Sequence, residues 1–315
     1  MNGQRRIELG AIAILLATVA IGLSAEKTPI ATPDRVRIAM VNSLFRDTPP
    51  SVIRVMMQPF AVLMESQTGL PGELIPGGDA AQLGQLLSED KAHVGVFHGF
   101  EFAWARQRYP DLRPLLIAIN QDRLLQALIV TRADASAAGL PDLKGKTLAL
   151  PRCTREHCYL FLEHRCLECG QEPSRFFSTI TAPPSVEDAL DDVVDGIVQS
   201  AIVDGVSLKC YERRKPGRFS QLKAIQRSEL FPAAVVAYHP GTMDEDTLCR
   251  FRDGLIKANK GALGRQFLTL WKLTAFEPVP ADYEQTLADI LKAYPHPSAK
   301  QEAKSPQAAG QQASE

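Results

Sequence analysis

The residues Arg152-Cys153-Thr154-Arg155-Glu156 put a hydroxyl and two guanidinium groups where an apolar strand hands over to a helix. The tight polar turn Asp142-Leu143-Lys144-Gly145-Lys146 and the short apolar run Leu148-Ala149-Leu150 come just before them. The start of a helix carries unpaired backbone N–H groups and about half a positive charge, so it can receive a small anion without a metal or a cofactor. Thr154 reads as the helix cap and a hydroxyl donor. Arg152 and Arg155 each offer a planar fork for bidentate contact with an oxyanion. Glu156 already complements the helix dipole and would repel an anion at short range. A charged, solvated helix start is the alternative reading of the segment.

Other groups of the right chemistry follow apolar strands elsewhere. Asn42 and Ser43 come after Val36–Val41 and offer side-chain and backbone donors, or simply begin a turn. His98 and Gly99 come after His93–Phe97: the imidazole is a donor to an oxyanion, and the glycine allows close approach of backbone to a ligand. Phe100 lies next to them as a piece of cleft wall or of core. Asp204 ends the apolar strand Ser200–Val203, where it either orients a donor or an arginine, or caps the following helix. Glu229 is a weaker candidate, ahead of Leu230-Phe231-Pro232.

The elements that must hold these groups alternate short strands with amphipathic helices, which argues for an α/β fold with largely parallel sheets. A helix is expected from Pro50 to Thr68 with Gly69 as its stop, kinked or broken at Pro59. Further helices are expected over Ala80–Ser88, Arg155–Cys169, from Pro184, over Asp244–Lys260 and over Asp282–Leu291.

The order of strand, loop and helix near the N-terminus, the segment Val94-Gly95-Val96-Phe97-His98-Gly99-Phe100-Glu101-Phe102-Ala103, and Arg132-Ala133-Asp134 leading to Leu143-Lys144-Gly145-Lys146 carry a family resemblance. From about Val36 to Leu291 the chain resembles the phosphate/phosphite/phosphonate substrate-binding proteins of ABC transporters, which are type II periplasmic binding proteins. The segment Asp195 to Asp204 resembles the family's element of glycine, short spacer, aspartate and apolar strand. The resemblance implies an α/β, two-lobed fold in which each lobe is a mostly parallel sheet flanked by helices and two crossover strands form the hinge. Lobe one would comprise residues 35–125 plus 226–291, and lobe two residues 126–225. A ligand would sit in the cleft between them, where strand-end loops gather, and the lobes would close over it. The chain departs from its relatives at the opening of the second lobe's helix, where they carry a Ser- and Thr-rich turn; only Thr154 carries over directly.

Six cysteines are many for such a protein, and Cys153, Cys158, Cys166 and Cys169 cluster with His157 and His164. The cluster admits one or two structural disulfides, free buried thiols, or a metal. Cys158 and Cys166 on one helix would lie about 12 Å apart and cannot pair directly. Cys210 and Cys249 lie further along.

The chain opens with Arg5 and Arg6, an apolar run from Ala11 to Leu23, and small residues to Ala25. This is the layout of a secretory signal over residues 1–25, shorter than the roughly 20 apolar residues of a spanning helix. Residues 298–315 have the composition of a disordered tail. A formal net charge of −1 gives no sign of a nucleic-acid or membrane surface. No catalytic motif stands out, whether a nucleophile elbow, a zinc-protease helix, a phosphate loop or a dinucleotide fingerprint. The reading is therefore an exported, periplasmic, non-enzymatic solute-binding protein that needs no cofactor. Its partners would be a small anionic ligand and a membrane permease. The membrane would be met only through that permease or an uncleaved N-terminal segment. A sensory module of the same fold for a membrane receptor, and a metal or redox protein built on the cysteines, are the alternatives.

Overall fold

The computed structural model describes residues 33–296 apart from Asp47 and Cys153. The secretory segment and the C-terminal tail expected from the sequence lie outside the described residues. Strand β1 (Val36–Met40) is apolar on both faces, as a strand covered by helices on each side requires. A 3-10 turn (Asn42–Phe45) leads to α1 (Pro50–Thr68), which begins on proline and stops at Gly69 with φ 73°. Pro59 does not break α1; the adjacent Phe60 and Leu63 are buried, and their packing carries the helix across the lost hydrogen bond. Next come β2 (Gly72–Pro76), α2 (Ala80–Ser88), β3 (Val94–Phe97), α3 (Gly99–Arg108) and β4 (Arg113–Ile119). Asp79 and Gln82 cap α2 reciprocally, each side chain accepting from the other's backbone N–H.

The chain then crosses through β5 (Leu124–Leu125) to β6 (Ala127–Arg132) and β7 (Thr147–Ala149). It continues through α4 (Glu156–Glu168), α5 (Pro173–Phe176), β8 (Thr179–Thr181), α6 (Val186–Val194), β9 (Ser200–Asp204), α7 (Gly205–Arg214), α8 (Pro216–Phe219) and β10 (Leu222–Arg227). It returns through β11 (Phe231–Pro232) to β12 (Ala234–Tyr238), α9 (Glu245–Ile256), α10 (Ala262–Leu270), β13 (Ala275–Glu277) and α11 (Tyr283–Ala293). The helix expected to run to Lys260 therefore ends at Ile256, and α10 follows it.

Two sheets result. The first is ordered β13-β4-β12-β3-β1-β2 and the second β10-β6-β9-β7-β8. The parallel character holds for β2-β1-β3 and for β8-β7-β9. Every pairing that involves β6, β12 or β13 is antiparallel, so each sheet is mixed. The two crossings lie side by side: β5 pairs antiparallel with β11, and beside them Gln126 Nε2 donates to the Ser228 carbonyl at 2.9 Å. One hydrophobic core runs from the first sheet through Phe231 at this crossing to Phe161 and Ile202 of the second.

Gly99 opens α3 against the returning strand. A Cβ there would lie 2.5 Å from the Pro232 carbonyl oxygen and 2.6 Å from that of Ala233, and backbone cannot swing aside as a flexible side chain can. Gly99→Ala is therefore expected to destabilise the fold by about 1–3 kcal/mol, the usual penalty of overpacking. Chemical denaturation would measure it; an unchanged midpoint would contradict the close approach.

Candidate functional site

A cleft of about 880 Å³ opens between the two sheets. Ser43, His98 and Phe100 line it from the first sheet's loops, and Arg152, Thr154, Arg155 and Asp204 from the second's. Asn42 and Gly99 do not line it. Asn42 is exposed, with its backbone N–H donated to the Gly78 carbonyl at 2.8 Å, and Gly99 gives its close approach to the chain rather than to a ligand.

The head of α4 differs in detail from the sequence reading. Arg155, with φ −68° and ψ 144°, is the capping residue, and no side chain caps the helix. Thr154 lies one residue earlier, and its hydroxyl donates to the Pro151 carbonyl at 2.6 Å. It lines the cleft without capping, because the chain is still extended at Arg155. Arg152 is exposed at the cleft, its backbone N–H held by the Pro183 carbonyl at 2.9 Å. Arg155 Nε lies 4.0 Å from Asp204 Oδ2. Asp204 also caps α7, accepting from the Ser207 backbone N–H at 3.0 Å and from the Ser207 hydroxyl at 2.6 Å. It thus fills both roles open to it in the sequence, the cap and the partner of an arginine.

Glu156 does not face the cleft as a bare carboxylate. Arg46, from the loop after β1, reaches across and grips it with both arms, Nε to Oε2 at 2.7 Å and Nη2 to Oε1. The guanidinium also lies 4.5 Å from the ring centre of Tyr159, one turn further along α4. The hydrogen bonds it donates to Glu156 hold the Arg46 guanidinium above its ordinary value, against the opposing effect of burial. The Arg46 side chain is 43% exposed and the Glu156 side chain 12%, so the pair contributes nearer the ~1 kcal/mol of a surface bridge than the energy of a sealed one. Its place matters more than its strength, because it joins groups attached to different sheets.

Two neutral imidazoles face the cleft, His98 from the first sheet's side and His157 from α4. Burial pushes the His98 imidazole down to about 3, and its Nε2 is buried with no protein partner. The ring stacks on Phe100, centroids 5.6 Å apart at 3°. Burial likewise lowers His157, which packs on Phe231 at 5.4 Å. Behind Ser43 lies Glu101, 8% exposed, whose two oxygens stand 2.9 and 2.7 Å from the Ser43 hydroxyl. Burial raises its carboxyl to about 7, although the Ser43 hydroxyl and the His98 backbone N–H favour the ionised form. While Glu101 is ionised, the single Ser43 proton is committed to it and is not offered to a ligand.

Glu229 lies apart from this cleft, accepting from Arg165 Nη2 at 2.6 Å and from the Tyr294 hydroxyl at 2.5 Å. The expected disulfides do not form among the described residues: Cys158, Cys166, Cys169, Cys210 and Cys249 are all free. Burial pushes the Cys166 thiol up to about 12 and Cys158 well above its usual range, so both are neutral rather than thiolate ligands. Among the described residues no three His, Cys, Asp or Glu side chains gather as a metal would require. Arg46, Glu101 and His157 were not legible as site residues. Arg46 is a lone arginine in a loop, Glu101 reads as an ordinary first-turn acid, and His157 was drawn into the cysteine cluster.

Two α/β halves joined by paired crossovers, with a cleft walled by loops from both, define a two-lobed solute-binding protein of the type II periplasmic kind. The chain belongs to the family of periplasmic substrate-binding proteins of phosphonate ABC transporters, which it matches over residues 43–283. No curated protein matches the chain. Among solved structures it is similar to XAC2383 from Xanthomonas citri bound to ATP, with 19% identity, TM-score 0.56, and coverage of 84% of this chain and all of that one. It is similar to PhnD1 from Prochlorococcus marinus in complex with methylphosphonate, with 13% identity, TM-score 0.55, and coverage of 83% and 98%. A binding-protein component of a phosphonate transporter from Pseudomonas aeruginosa gives 17% identity and TM-score 0.50 over 87% and 94% of the chains. What these three share with it is the fold.

Two measurements check the geometry. Because the Glu101 carboxyl is raised from its usual 4.5 to about 7, its contribution to stability is whole below pH 4.5 and is lost as the pH rises through 7. Glu101→Gln should therefore match the wild-type chain near pH 4 and gain on it up to pH 8 by at most about 3 kcal/mol. Denaturation curves that stay parallel across this range would refute the raised carboxyl. Arg46→Gln and Glu156→Gln should each widen the distribution of lobe separations, seen as a larger radius of gyration in small-angle scattering of the ligand-free protein. Profiles superimposable on the wild type would deny the bridge a role across the cleft.

Proposed function

We propose that this protein captures a small oxyanion or organic anion, phosphonate-like in its head group, and presents it to an ABC transporter permease. The observation that supports this best is the meeting of Arg152, Thr154 and Arg155 with Ser43 and His98 in one cleft, from opposite sheets. Residues 35–125 plus 226–291 act as one lobe and 126–225 as the other, turning about the β5 and β11 crossing. On this reading the ligand's charge is met by the Arg152 and Arg155 forks and by the uncapped head of α4. The neutral His98 imidazole offers Nε2 from the other wall. Closure removes water and strengthens each charge-assisted hydrogen bond.

Capture rather than transformation fits the site. The titratable groups named above are paired for holding charge, with Asp204 on Arg155 and Glu156 on Arg46. A periplasmic location is part of this reading, and the family membership supports it. Among the described residues no helix is long and apolar enough to cross a membrane. The solved relatives show that the fold accepts guests of different size, since one holds methylphosphonate and another ATP.

Calorimetry of methylphosphonate binding tests the reading. Arg152→Ala and Arg155→Ala should each weaken binding about tenfold or more, the worth of a hydrogen bond to a charged group, with little change in thermal stability for the exposed Arg152. Unchanged affinity in both variants would remove the site from this end of the cleft. Wild-type affinity should also rise as the pH falls through about 7, because a protonated Glu101 releases the Ser43 hydroxyl and withdraws a negative charge. Glu101→Gln should reduce that dependence to the part set by the ligand's own titration.

A further inference from the structure

The polar groups described so far occupy only one end of the cleft. The same continuous space runs on along α1 and α10, where Val52, Met56 and Leu270 line it with part of their surface open. Val96 and Ala234 of the first sheet also line it, each partly open. A head group of phosphate size needs little more than the room of a few waters, at about 30 Å³ each. A cleft of about 880 Å³ falls instead in the range of about 300–1,000 Å³ that holds whole organic molecules. One further group separates this extension from an ordinary packing void. Trp271 lines it with its indole Nε1–H buried and without a protein partner, while its ring packs edge-on to Phe45 at 5.6 Å. A buried donor left unmet costs free energy, so a chamber that keeps one is shaped for a guest that brings the acceptor.

We propose that the cleft takes an amphiphilic anion: a phosphonate-like head held at the Arg152 end, and an apolar body housed between α1, α10 and the first sheet, with a single acceptor reaching Trp271. The inference rests on the anion-capture reading and deepens it, since it assigns the organic part of the ligand. The chemistry is that of an alkyl or aryl phosphonate rather than inorganic phosphate. Among the described residues, the apolar lining by Val52, Met56, Leu270, Val96 and Ala234 offers no ion-pair partner for an amino group. Met56 of α1 lines the chamber and is only partly buried, so it can be altered from the surface side.

Calorimetry with methylphosphonate, n-hexylphosphonate and 5-oxohexylphosphonate on the wild-type chain tests the inference. n-Hexylphosphonate should bind at least about tenfold tighter than methylphosphonate, since each methylene removed from water is worth roughly a threefold gain. The ketone should restore further affinity in the wild type but not in Trp271→Phe. Of the chain's two tryptophans, Trp104 donates its Nε1–H to the Tyr294 carbonyl at 2.8 Å and does not line the cleft. A change in emission on hexylphosphonate binding should therefore vanish in Trp271→Phe. Met56→Gln, which sets a polar but uncharged group in the chamber wall, should shrink the ratio of hexylphosphonate to methylphosphonate affinity. If methylphosphonate binds and the hexyl compound binds no tighter, the chamber is not a ligand site and anion capture stands alone. If none of the three binds, anion capture itself fails and the amphiphilic ligand with it.

Discussion

A guanidinium from one sheet closing on a carboxylate at the head of a helix from the other is the contact on which the cleft depends. Arg46 and Glu156 are 110 residues apart in the chain, and their two hydrogen bonds need both lobes in register. The pair settles an electrostatic conflict as well. A bare carboxylate at the first position of α4 would turn away any anion drawn by the helix dipole, whereas a carboxylate gripped by an arginine is neutralised where it stands. Arg152 and Arg155 then set the sign of the field in the open part of the cleft, with Asp204 restraining only the second of them. Modest free energy is involved, because the bridge is partly wet.

A second layer of control sits behind the walls. Glu101 takes the Ser43 hydroxyl, His98 and His157 are kept neutral by burial, and the aromatic rings of Phe100 and Phe231 hold the imidazoles in place. Each is a group that sequence reading treats as a free donor or as core and that the fold converts into a partner of something else. The same holds for Thr154, whose hydroxyl serves its own turn. A residue type therefore predicts which chemistry is possible at a position, and the neighbours decide how much of it is left for a ligand.

Much of the architecture was legible because its signals are local. Proline at the start of α1 and Gly69 at its end, the Asp79 and Gln82 pair around α2, and the apolar runs of β1, β3 and β9 mark their own boundaries. The cleft loops followed from the strand ends, so Ser43, His98, Phe100, Arg152, Thr154, Arg155 and Asp204 line one space. What was not legible depends on long-range approach. Gly99 is small because β12's lead-in presses on it, Arg46 matters because α4 arrives opposite, and the antiparallel pairings of β12 and β13 depend on where the chain returns. The cysteines misled for a similar reason. Their number suggested bridges, but Cys158 and Cys166 are simply apolar filling along the buried face of α4.

The position of β12 has a consequence for how the molecule is made. It lies between β3 and β4, strands laid down more than a hundred residues earlier, so the central seam of the first sheet stays open until the returning segment has been synthesised. A nascent chain carrying only the first half has no complete core to collapse onto, and its unfinished edges are of the kind that chaperones attend. A chain that cannot finish this sheet early remains unfolded there until the returning segment has been translated.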